Sequence, residues 1–112
     1  MTNEELNTEL YQMMFAEQEQ YKQWLLTQPP NEILRHCYEY VVREDIVLAL
    51  EEHDNSDKQC KALLKSKTPL ADVFRKWESW ETGYMDNIRE CSDWRANEVL
   101  RADFVASRRD SR

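Results

Sequence analysis

Apolar residues recur at helical spacing along most of the chain. In the first stretch Leu6, Leu10, Met13, Met14, Tyr21, Trp24 and Leu25 return to one side of a helix, and Tyr11 and Phe15 widen the stripe. Thr2 and Glu5 form a Thr-x-x-Glu capping box just ahead of it. Gln28-Pro29-Pro30 cannot continue a helix, so the first one ends near Leu26.

Pro30 suits the first turn of a second helix. Ile33, Leu34, Cys37, Tyr38, Val41, Val42, Asp45, Leu48 and Ala49 track one of its sides, and Tyr40, Val47 and Leu50 make it apolar over much of its circumference. That pattern predicts a central helix over 31–52, either continuous or jointed near Arg43-Glu44-Asp45. His53-Asp54-Asn55 reads as a turn. Ser56 with Gln59 is a second capping box, opening a short helix that buries Leu63 and Leu64. Ser66-Lys67-Thr68 breaks it, and Thr68 as N-cap with Pro69 at the first position opens the last helix.

From Leu70 the apolar period runs through Val73, Phe74, Trp77, Trp80, Tyr84, Ile88, Cys91 and Val99 to Phe104. Gly83 is the weak point. A lone glycine costs roughly 1 kcal/mol against Ala inside a helix, and it equally suits a helix end. The period stays in phase across it, which favours one long helix. The expected fold is therefore all-α: three to four helices in one domain over 1–105, with one long C-terminal helix at about 69–104 and a frayed basic tail at 106–112.

Composition narrows the function classes. The chain has 112 residues, a single Gly and a net charge of -7. A chain so poor in glycine builds no phosphate-cradling loop. It has no apolar run long enough to span a membrane, and its acidity argues against direct nucleic-acid binding. Cys37, Cys60 and Cys91 are an odd set without close pairs, and the N-terminal MTNEE lacks the basic and apolar regions of a secretory signal. Reduced thiols in a cytoplasmic protein are expected.

Charge is segregated. Residues 1–57 carry 13 acidic and 3 basic side chains, whereas 58–82 carry 3 acidic and 6 basic. One reading is a solvated face that keeps the protein soluble. The sharper reading is an acidic half that docks on a basic partner surface, steered by a salt-sensitive field. Glu4, Glu5, Glu9, Glu17 and Glu19 are then the partner-binding candidates, with Tyr11 and Phe15 as anchors. The basic residues of the tail, Arg101, Arg108, Arg109 and Arg112, are too sparse to bind nucleic acid.

Catalysis and metal binding find little support. The His and Cys residues lack zinc-ligand spacing, and His36 and Cys37, adjacent on a helix, point about 100° apart. Carboxylate pairs such as Glu51-Glu52 are ordinary helix-surface residues. No catalytic residue, metal or cofactor is expected. Trp77, Trp80, Tyr84, Ile88 and Trp94 form an aromatic series suited to a core, to the seam of a homodimer, or to a partner patch rimmed by Arg75, Lys76 and Glu81.

Four stretches carry a resemblance: MTNEELNTELYQMMFAEQEQYKQWLLTQPPNEIL at 1–34, YEYVVREDIVLALE at 38–51, SDKQCKALLKSKTPLADVF at 56–74 and RANEVLRA at 95–102. Together they resemble a domain-of-unknown-function family of small proteins carried on conjugative elements and phages of Gram-positive gut bacteria. The likeness spans nearly all of 1–102. It departs from the family at WESWETGYM and at Cys91, where more polar residues are expected. The resemblance implies no activity and no catalytic residue, only a setting as accessory cargo of mobile DNA. Small acidic helical proteins in that setting are often inhibitors of host defence, anti-CRISPR or anti-restriction factors that act on a nuclease or ribonucleoprotein. The alternative is a helical homodimeric adaptor with no nuclease target.

Overall fold

The computed structural model describes residues 1–80 and 83–110, with five α-helices among them and no strand. They are α1 (Asn3–Leu26), α2 (Pro30–Glu52), α3 (Asp57–Leu64), α4 (Pro69–Glu78) and α5 (Tyr84–Asp110). The chain divides into two compact units, Met1–Trp80 and Glu81–Arg112.

In the first unit both expected capping boxes are present. The Glu5 and Gln59 amides donate to the Thr2 and Ser56 hydroxyls, and their side chains accept from the two N-cap amides. Each box satisfies two donors that a helix start leaves open. Helix α1, not α2, is the central element: it packs against α2, α3 and α4. Its stripe of Leu6, Leu10 and Met14 meets Val47, Cys60 and Leu70 in one buried cluster. Leu10 and Leu70 are fully buried within it, so truncating either to Ala removes about 2–5 kcal/mol.

Helix α2 is continuous through Arg43-Glu44-Asp45 but is turned from the expected face. Leu34, Cys37, Tyr38, Val41, Asp45, Leu48 and Ala49 are exposed, and its buried residues are Arg43 and Val47. The apolar count favours the other face. The inward face still carries Val47, with Ile46 and Leu50 packed against the buried cluster, and it turns Arg43 toward Glu17 of α1.

The long helix expected at 69–104 is two helices. Helix α4 ends at Glu78, where the Ser79 amide donates to carbonyls of the last turn and its hydroxyl donates to the Lys76 carbonyl at 2.6 Å. Gly83 has φ of +67°, a left-handed conformation that a helix interior excludes and that glycine adopts without strain. Its carbonyl accepts from the Asn87 amide at 2.9 Å and so opens the next helix. Apolar spacing in phase across this point therefore did not imply continuity.

In the second unit, described by itself, α5 runs on through 106–110, which the sequence assigns to the tail. Every residue from Tyr84 to Arg109 is exposed. Among the described residues no helix is long and apolar enough to cross a membrane.

Candidate functional site

The start of α1 and the end of α2 lie side by side because an asparagine clasp joins them to the turn that follows α2. Asn7 donates from Nδ2 to the Asn55 carbonyl at 3.0 Å and accepts from the Asn55 amide at 2.9 Å. Asn3 donates to the same carbonyl at 3.0 Å and also to the Asp57 carboxylate. Both backbone groups of Asn55 and the Asp57 carboxylate are thereby satisfied by two side chains.

This junction opens an acidic hollow of about 400 Å³, lined by Glu4, Asn7, Thr8, Tyr11, Leu50, Glu51 and Asp54. A second, shallower hollow adjoins it along α1 at Glu4, Glu5, Thr8, Glu9 and Gln12. Among the described residues no Lys or Arg lines either one. The Tyr11 hydroxyl donates to Glu51 Oε1 at 2.7 Å. That hydrogen bond to a carboxylate, with burial and negative charge adding to it, raises the Tyr11 pKa above the usual phenol value. The Phe15 ring lies 6.1 Å from that of Tyr11. The two sequence-expected anchors are thus neighbours, Tyr11 packed against the core and Phe15 half exposed.

The expected acids fall into three kinds. Glu4, Glu9 and Glu19 are exposed. Glu5 is exposed too, but its carboxylate accepts from the Thr2 amide at 3.2 Å and closes the cap. Glu17, expected at the partner surface, faces inward. Its Oε1 accepts from the Leu70 amide and its Oε2 from the Ala71 amide, both at 2.9 Å. Thr68, expected to cap α4, makes no side-chain cap bond. A carboxylate from α1 caps α4 instead, where the helix macrodipole favours negative charge.

Arg43 completes this buried polar layer. It pairs with Glu39 at 2.8 Å, lies 3.9 Å from Glu17, and stacks its guanidinium 4.1 Å over the Tyr21 ring. Gln18, also buried, donates to the Tyr40 carbonyl and to Glu44. The Tyr21 hydroxyl is buried beside Glu39. Burial first, then the negative charge of Glu39, pushes its pKa up to about 12, against the opposing charge of Arg43.

The aromatic series is divided between the units. Trp77 and Trp80 belong to the first, with ring centroids 6.0 Å apart. Trp77 donates from Nε1 to the Tyr38 hydroxyl at 3.1 Å. With Leu63, Asp72, Val73 and Lys76 they line an apolar groove of about 290 Å³. Of the expected rim, Arg75 is paired with Asp72 at 2.9 Å, and Glu81 lies outside the described residues. Tyr84, Ile88 and Trp94 stand exposed on α5, so no single helix carries the whole seam.

Sequence reasoning missed Glu51 and Asp54, which it treats as helix surface and turn. It also missed the Asn3–Asn7 clasp. The i, i+4 asparagine pair ahead of an Asp-Asn turn was the available signal, but its partner lies 48 residues along the chain. Among the described residues no three His, Cys, Asp or Glu side chains gather as a metal site.

No curated protein and no solved structure matches the chain. Residues 6–100 match the family described as a protein of unknown function, DUF3848. The match spans most of α1, all of α2 to α4 and most of α5, and the chain belongs to the DUF3848 family.

Proposed function

We propose that this chain is a non-catalytic binding factor that presents the acidic surface of α1 and α2 to a basic surface on a protein partner. One observation carries the reading: Glu4, Glu9, Glu51 and Asp54 border adjoining hollows without a basic side chain in their lining. Such a surface raises association rates with a cationic partner and weakens as salt screens it. Tyr11 and Phe15 add an apolar patch beside the charge, the arrangement in which a ring anchors a complex that charge steers. In the finer form of the proposal, the chain is cytoplasmic cargo of a mobile element. There it occupies the nucleic-acid channel of a host defence nuclease, as an anti-CRISPR or anti-restriction factor.

The test is phage plating on cells that carry a restriction or CRISPR nuclease, with the wild-type chain or an E4K/E9K/D54K variant expressed. These positions leave the capping box, the clasp and Glu17 intact. Wild type restores plating and the variant does not, at unchanged helix content by circular dichroism. Undiminished inhibition by the variant removes the charge mechanism. Failure of wild type against every nuclease removes the nuclease as target. A helical homodimeric adaptor is the second reading, supported by the exposure of α5.

A further inference from the structure

Taken alone, α5 is a helix of 27 residues on which Ile88, Cys91, Ala102 and Val105 stand in the open at one repeating spacing. An isolated helix in water is marginal, and apolar exposure on this scale marks a surface that something covers. The spacing along it identifies what does. Ile88, Cys91, Arg95, Glu98, Ala102 and Val105 follow one another at alternating steps of three and four residues, the period of a coiled-coil seam. Arg95 and Glu98 sit at its centre, 3.7 Å apart on the same helix.

Two such helices side by side pair well in only one direction. Within α5, residues 84–100 carry a net charge of -2 and residues 101–110 a net charge of +1. Antiparallel pairing sets the acidic half of one helix against the basic half of the other, whereas parallel pairing sets like against like. The seam then fixes the register. With Arg95 opposite the partner's Glu98, Ile88 falls opposite the partner's Val105 and Cys91 opposite the partner's Ala102. Each layer occurs twice by the two-fold symmetry. A slip of one heptad either way leaves Arg95 facing a cysteine or a valine, an unpaired charge in a seam.

We propose that α5 is a self-association element, through which two copies of this chain pair as an antiparallel coiled coil centred on Arg95 and Glu98. The proposal stands independently of the acidic surface of α1 and α2.

The experiment uses the full chain, with sedimentation over a concentration series. Wild type forms a dimer. R95E faces carboxylate with carboxylate in both central layers and raises the dissociation constant at least about tenfold. The exchanged pair R95E/E98R restores it to within about threefold, because opposite charges again face each other. A parallel pair has like charges facing in wild type and exchange alike, so it shows no loss followed by rescue. Helix content by circular dichroism separates lost pairing from lost folding. A C37A/A102C variant adds geometry. Oxidation links Cys91 to position 102 of the other copy, shown by peptide mass spectrometry on mixed isotope-labelled protein. Cys91 of one copy and Cys91 of the other lie about 16 Å apart in this register, beyond disulfide reach. A monomer at all concentrations, a Cys91–Cys91 disulfide in wild type, absence of rescue by exchange, or links confined to one chain each overturns the proposal.

Discussion

Replacing Glu17 tests the account of how the first unit is held together. Its side chain is 12% exposed and its two oxygens accept from the Leu70 and Ala71 amides at 2.9 Å each. The Leu70 residue is fully buried, so water does not replace the lost acceptor there. A hydrogen bond to a charged group contributes about 1.5–3 kcal/mol, and bonds sharing one carboxylate are not additive. E17A therefore destabilises the fold by about 3 kcal/mol, with a fall in Tm on the order of 15 °C for a domain of this size. E17Q keeps one acceptor but turns an NH2 group toward a second donor, and costs about 2 kcal/mol. E19A, on an exposed position of the same helix, stays within about 0.5 kcal/mol. Urea unfolding followed by tryptophan fluorescence measures all three, and amide exchange at Leu70 and Ala71 localises the effect. E17A within about 0.5 kcal/mol of wild type refutes the cap that Glu17 places on α4.

The remaining predictions concern the clasp, the face of α2 and the buried phenol. N7A releases the turn at Asn55 and costs about 1–2 kcal/mol in urea unfolding; a neutral result would show that water replaces those bonds. V47A costs about 2 kcal/mol while L48A stays within about 0.5 kcal/mol, and the reverse order would restore the face read from apolar spacing. Absorbance titration of the tyrosines shows a phenol ionising near pH 12 that is missing in Y21F. The raised value makes its contribution to stability complete below about pH 10 and lost as pH rises toward 12. An unchanged titration in Y21F contradicts its burial.

Much of this architecture was legible in the residues, and the failures share a cause. Helix starts were readable because a capping box is local: Thr2 with Glu5 and Ser56 with Gln59 carry their partners within three residues. The apolar stripe of α1 was readable because Leu6, Leu10 and Met14 outweigh everything else on that helix. The face of α2 was not, since its orientation depends on contacts with another helix: Ile46, Val47 and Leu50 against the buried cluster, and Arg43 beside Glu17. Glu17 itself looks like any surface glutamate until the α4 amides arrive from more than 50 residues away. At Gly83 the periodicity and the backbone disagreed, and the single glycine was the better guide. The acidic site was half visible: Glu4 and Glu9 lie in the segregated run, but Glu51 and Asp54 join them only through the asparagine clasp.

The most direct test of the proposed function is a side-by-side affinity capture. Tagged wild-type chain and E4K/E9K/D54K are drawn from cells carrying defence nucleases, at low and high salt, and read by mass spectrometry. The account predicts a partner with a basic surface that wild type retains at low salt, loses at high salt, and that the variant never retains. Identical captures by both proteins, or a partner held equally at both salt concentrations, would contradict it.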